Sequence, residues 1–114
     1  MRAVLPLLTA AALAACGPPP VSMTRIHDDP RPLLMKPVGA VELFASGPPQ
    51  RPYVETAVLQ SEGMFSDSAL AELRAAAAHM GCDGLVITPA DRGSGLAHVS
   101  AWRGVCLVYP EPGP

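Results

Sequence analysis

The spacing of apolar and polar positions changes several times along the chain, and each change predicts an element. Residues 3–15 form an unbroken apolar or neutral run behind one positive charge, Arg2. Residues 17–37 then show no apolar period and hold six prolines, with Pro18, Pro19 and Pro20 in succession. Residues 38–44 (VGAVELF) mix β-branched and alternating positions and predict a strand, closed by the turn-rich SGPPQRP. Residues 53–60 (YVETAVLQ) alternate with a period of two: Val54, Thr56 and Val58 on one face, Tyr53, Glu55, Ala57 and Leu59 on the other. Ser61, Glu62 and Gly63 break that alternation. The period then lengthens to three and four, and Leu70, Leu73, Ala76, Ala77 and Met80 make one apolar stripe that predicts a helix over 67–80. Ser66 or Ser68 can cap its start, Asp67 suits the positive end of its dipole, and Gly81 is a natural stop. Residues 85–88 (LVIT) read as a short buried strand ended by Pro89, and ADRGSG as a loop. Residues 97–109 read as a long strand with a bulge at Gly104.

The order ββαββ predicts an α+β sandwich, one helix packed on a four-stranded sheet. The first two strands are expected to pair with each other across a connection of about eight residues, longer than a tight hairpin favours. If residues 85–88 and the last strand are antiparallel neighbours, with Thr88 opposite a residue near Ser100, then Cys82 falls opposite Cys106. The expected organisation is a leader over residues 1–15, a linker over 16–37, a folded domain over 38–110 and a tail over 111–114.

As a helix, the 13 residues of the leader's apolar run would span roughly 20 Å, short of the ~30 Å hydrocarbon core of a bilayer. A positive start, an apolar middle and small residues at the end are the anatomy of a secretory signal peptide. This one ends Leu13-Ala14-Ala15-Cys16, which resembles the bacterial lipobox. The resemblance implies diacylglycerol on the Cys16 sulfur, cleavage before Cys16 and acylation of the new amino terminus. Two or three acyl chains suffice for stable anchoring in the lipid bilayer. The prolines that follow read as stiff extended chain, about 3.1 Å per residue, that holds the folded part off the membrane. Gly17 stands where bacterial inner-membrane lipoproteins often carry Asp, so the outer membrane, facing the periplasm, is the expected location.

With 114 residues the chain has room for one domain. Hydrophobic residues make up 49%, yet aromatic ones only 4%, so a core of Ala, Val and Leu buries little area per residue. A mature domain this small is near the size at which a cross-link or a partner matters. The net charge of −2 offers no basic face for nucleic acid.

PPQRPYVETAVLQ, then SALAELRAAAAHMGCDGLVI, then AWRGVCLVY resemble the RcsF-like periplasmic domain of small bacterial outer-membrane lipoproteins, over roughly residues 41–109. The resemblance implies an α+β fold and a role in envelope sensing. Similar folds occur in small cytosolic proteins thought to bind heavy metals. RcsF-like domains carry four cysteines in two disulfides. Here two remain after Cys16, and Cys106 falls where the family's last cysteine does.

Cys82 and Cys106 are an even pair in an exported chain, which favours a disulfide. Two buried thiols and a metal site are the alternatives, although a spacing of 24 lacks C-x-x-C or H-x₃₋₅-H character. The histidines form no motif: His27 lies in the linker, His79 in the last helical turn, and His98 on a strand face with Ser100 and Trp102. His98, Ser100 and Asp91 could be assembled into a Ser/His/Asp set, but no nucleophile elbow surrounds the serine. Glu42, Glu55 and Glu62 read as separate solvated carboxylates, and RGSG lacks the rest of a phosphate loop. No cofactor and no catalysis are expected. The expected function is a membrane-anchored, non-catalytic module for protein interaction or envelope sensing, with an unidentified envelope protein as partner. A periplasmic lipoprotein that binds a small ligand or metal is the alternative.

Overall fold

Period-two alternation and the three-four stripe both become structure, but in a larger sheet than the pattern predicts. The computed structural model describes residues 21–63, 66–91, 93–95 and 99–111. Its elements are β1 (Val21–Arg25), a 3-10 turn (Val38–Ala40), β2 (Glu42–Phe44), β3 (Val54–Gly63), α1 (Ser66–Met80), β4 (Gly84–Pro89) and β5 (Ser100–Val108). The strands form one sheet in the order β1-β3-β5-β4-β2. All neighbours are antiparallel except β2 and β4, which are parallel. The helix packs on one face, and the fold is α+β.

The sheet has five strands where four were expected. The added strand, β1, lies inside the segment read as linker, with Val21 opposite Ser61 and Arg25 opposite Ala57. Its five residues are too few for an apolar period to show. The cause is non-local: β5 satisfies one edge of β3, and the other edge of a strand that buries Ala57, Leu59 and Ser61 also needs backbone partners.

The expected pairing of the first two predicted strands does not form, because β1 and β5 occupy both edges of β3. Of residues 38–44, the first three make the 3-10 turn, with Ala40 N–H donating to the Pro37 carbonyl and Val41 N–H to that of Val38. The last three form β2, in register with β4 from Glu42–Gly84 to Phe44–Val86.

The bulge also falls elsewhere. The register between β3 and β5 shifts between Glu55 and Ala57, and Thr56 and Ala57 are consecutively buried. Gly104 instead gives room to side chains. A Cβ there would lie 2.7 Å from Leu85 Cδ1 and 3.1 Å from Leu73 Cδ2.

The helix matches its prediction within one residue. Ala69, Leu73, Ala77 and Ala78 are buried, and Leu70, Ala76 and Met80 are partly buried against the core. Gly81, at φ +85°, ends it in a Schellman turn: Gly81 N–H donates to the Ala78 carbonyl and Cys82 N–H to that of Ala77. Of the predicted last strand, Ser100–Val108 is strand, and residues 97–98 lie outside the described residues.

Candidate functional site

The Schellman turn drops Cys82 directly beneath the helix, facing the sheet. It forms a disulfide with Cys106 of β5, with the Cα atoms 5.6 Å apart. The register differs from the expected one: Leu85, not Cys82, stands opposite Cys106, and Thr88 stands opposite Arg103. Cys82 therefore reaches Cys106 from the turn before β4 rather than as a cross-strand neighbour. Both half-cystines are fully buried among Ala57, Leu59, Leu73, Ala77 and Leu85. The hydroxyl of Thr56, turned inward at the bulge, donates to Cys106 Sγ at 3.2 Å.

The next residue, Asp83, is a hub. Its carboxylate accepts from Arg31 Nη2 at 2.6 Å, from Lys36 Nζ at 2.7 Å and from Tyr109 N–H at 2.8 Å. Its own N–H donates to the Leu107 carbonyl, while its carbonyl accepts from Glu42 N–H. Arg31 Nε also donates to the Tyr109 carbonyl. The segment after β1 is thereby strapped under the helix-sheet layer, from the β1 edge to the β2 edge. Burial on its own would raise the Asp83 pKa. The bonds from Lys36, the Tyr109 backbone and Arg31 outweigh it and hold the carboxyl below its ordinary value of 3.8.

A folded pKa below the unfolded one means that ionised Asp83 stabilises the fold fully above about pH 3.8, and that this contribution is lost as pH falls through the lower folded value. Asp83→Asn keeps the shape and removes the charge. With the side chain 12% exposed, the expected loss at pH 7 is about 1–3 kcal/mol. Urea midpoints measured from pH 7 to pH 2 should show the gap between wild type and variant closing only at the acid end. A gap independent of pH would mean that the ion pairs are not its source.

The other candidates do not converge. His27 Nδ1 lies 2.9 Å from the Glu55 carbonyl oxygen, His79 is exposed in the last turn of α1, and His98 lies outside the described residues. Asp91 Oδ1 accepts from Ala101 N–H, so it organises the start of β5 beside Ser100. Glu42, Glu55 and Glu62 are exposed on different strands. Ser61 Oγ is buried without a hydrogen-bond partner among the described residues, and so has no base hydrogen-bonded to it there. No group of three His, Cys, Asp or Glu among the described residues is placed to hold a metal. Cys16 lies outside the described residues. No helix among them is long and apolar enough to cross a membrane.

Two shallow grooves are small for ligand sites of roughly 300–1,000 Å³. One, of about 210 Å³, lies among Arg51, Pro52, Pro110 and Glu111. It sits beside Tyr109, whose ring carries the Arg51 guanidinium at 3.6 Å. The other, of about 280 Å³, runs between the helix and β2 past Val38, Leu43, Leu70 and Arg74.

The two sheet edges differ. On the β2 side the strand is only three residues long, and Arg74 donates both Nε and Nη2 to the Val41 carbonyl beside it. On the other side β1 is five residues long and exposed beyond Val21, so half its backbone N–H and C=O groups face away from β3. Sequence reasoning missed this edge and the Asp83 hub. The one local signal for the edge was the β-branched, alternating run VSMTRI.

No protein-family model matches the chain, and no curated protein sequence matches it. Among solved structures, the fold is similar to that of the Francisella virulence factor FvfA, with a TM-score of 0.57 and 11% sequence identity. The likeness covers 80% of this chain and 97% of that one. At that identity it shows a shared fold and nothing further.

Proposed function

We propose that the protein is a lipid-anchored bacterial envelope lipoprotein whose domain is a non-catalytic, RcsF-like interaction or sensing module on the periplasmic face of the outer membrane. The observation that carries this reading is Leu13-Ala14-Ala15-Cys16 at the end of a short apolar leader. A buried disulfide suits an oxidising compartment and supports export. It also occupies both remaining thiols, which weighs against a thiolate metal site. For a partner, the open β1 edge offers backbone hydrogen bonds to an extended segment of another envelope protein, whereas the β2 edge is short and capped by Arg74.

The reading is tested in cells. A clickable palmitate analogue should label the wild type, and Cys16→Ser should lose the label and leave the membrane fraction. A photo-crosslinker at Met23, half-exposed on β1, should trap one discrete envelope protein, and one at exposed Ala75 on α1 should not. A wild type that is soluble and unlabelled would end the anchor reading. Labelled protein that crosslinks to nothing from Met23 would end the partner reading.

A further inference from the structure

All of the exposed large hydrophobic residues among the described residues fall between positions 23 and 38: Met23, Ile26, Leu34, Met35 and Val38. Two of them are adjacent and protrude furthest, Leu34 at 84% exposure and Met35 at 67%. They do not sit on a loose loop. Before them, Arg31 is held by Asp83 and the Tyr109 carbonyl, and Leu33 packs against the core. The Leu34 carbonyl oxygen lies against Gly81, where a Cβ would come within 2.6 Å of it. After them, Lys36 is held twice, by its side chain to Asp83 and by its N–H to the Ala78 carbonyl. The strap thus presents a fixed apolar knob at the C-terminal end of α1.

We propose that Leu34 and Met35 rest in the headgroup–acyl boundary of the bilayer that holds Cys16, so that the domain lies against its membrane. The proposal rests on the lipid-anchor reading above. The leash decides the occupant. Because the fold begins at Val21, and not near residue 38, only the five residues from Cys16 separate the anchor from β1. Even fully extended, they reach no more than about 18 Å. The bilayer is therefore always within reach of a domain whose 15-residue helix is about 22 Å long.

Leu34 and Met35 lie near the end of the layer away from Val21, since β1 starts opposite Ser61 and the strap ends beside Ala78 and Gly81. The anchor at one end and the knob at the other make two contacts, which lay the helix along the membrane surface. Burying each side chain favours the membrane-bound pose by roughly tenfold or more, and the tether makes that step intramolecular. The charges flanking the knob, Arg31 and Lys36, are already paired with Asp83. Apolar burial, rather than attraction to anionic lipid, is the driving term.

The test uses the acylated full chain, purified from membranes and reconstituted in phosphatidylethanolamine–phosphatidylglycerol vesicles. An environment-sensitive fluorophore is placed on Leu34→Cys, on Met35→Cys and, as a reference, on Ala75→Cys, all exposed positions. Lipids bearing a spin label near the headgroup should quench the first two several-fold more than the third. Equal quenching on protein that floats with the vesicles overturns the proposal and leaves the anchor intact. Protein that does not float overturns the anchor reading and this proposal together. Energy transfer between differently labelled copies, without lipid quenching, would assign the knob to a second copy. Protection of both cysteines from a thiol reagent in intact cells, again without lipid quenching in vesicles, would assign it to a protein partner. Either result overturns the bilayer contact.

Discussion

Leu73→Ala is expected to destabilise the domain by about 2–5 kcal/mol, read as a lower urea midpoint with an unchanged slope. Leu73 is fully buried on α1, and its Cδ2 fills the space that Gly104 leaves open above β5. Its buried helical neighbours are Ala69, Ala77 and Ala78, whose methyl groups are fixed to the helix backbone and cannot swing in to close a cavity. With few aromatic rings in the chain, leucines supply much of the burial, and a loss of this size is a large fraction of the ~5–15 kcal/mol typical of a whole domain. The same contact predicts coupling. Gly104→Ala alone puts a methyl 2.7 Å from Leu85 Cδ1 and 3.1 Å from Leu73 Cδ2, and is expected to cost about 1–3 kcal/mol by overpacking. In the Leu73→Ala background it should cost less, because one of the crowding atoms is gone. A Leu73→Ala loss below about half a kcal/mol, far under the range for buried leucines, would mean that the stripe does not pack on the sheet.

What could be read from the sequence was what is local. The helix was legible because Leu73, Ala77 and Met80 repeat at helical spacing and Gly81 stops them. The strand that became β3 was legible from its alternation, and the α+β class followed from the change of period. The partners of each element are set elsewhere. Nothing in VGAVELF says that its last residues pair in parallel with β4, since that depends on β1 having taken the free edge of β3. Nothing in VSMTR distinguishes a five-residue edge strand from linker, because half of an edge strand's backbone and most of its side chains face water. The Gly-Cys-Asp-Gly turn was visible as a pattern. The reason for its aspartate was not, since Arg31 and Lys36 lie 52 and 47 residues away in a segment read as spacer. The bulge was sought at a glycine, where a residue without a Cβ suggests one. It lies instead at Thr56, whose inward turn is compensated by a hydrogen bond to a half-cystine that only the tertiary structure brings near.

Replacing the disulfide by Cys82→Ala with Cys106→Ala is expected to lower stability by about 3 kcal/mol, within a usual range of about 2–5. The loop it closes spans 24 residues and contains β4 and the connection into β5. In the chain-entropy model, freeing it raises the disorder of the unfolded chain rather than breaking a native contact. The native state loses something as well, because the Thr56 hydroxyl then has no sulfur to donate to in a buried place. A triple variant that adds Thr56→Val should therefore lose less than the sum of the separate changes. Both sulfurs belong to fully buried residues, so reduction needs the fold to open. Alkylation of the exported protein in denaturant should find neither Cys82 nor Cys106 free before reduction and both free after it. Without denaturant, mild reductant should leave both protected for as long as the domain stays folded. Two thiols alkylated without reductant would remove the disulfide, and the core around Cys82 would then rest on leucine and alanine packing alone.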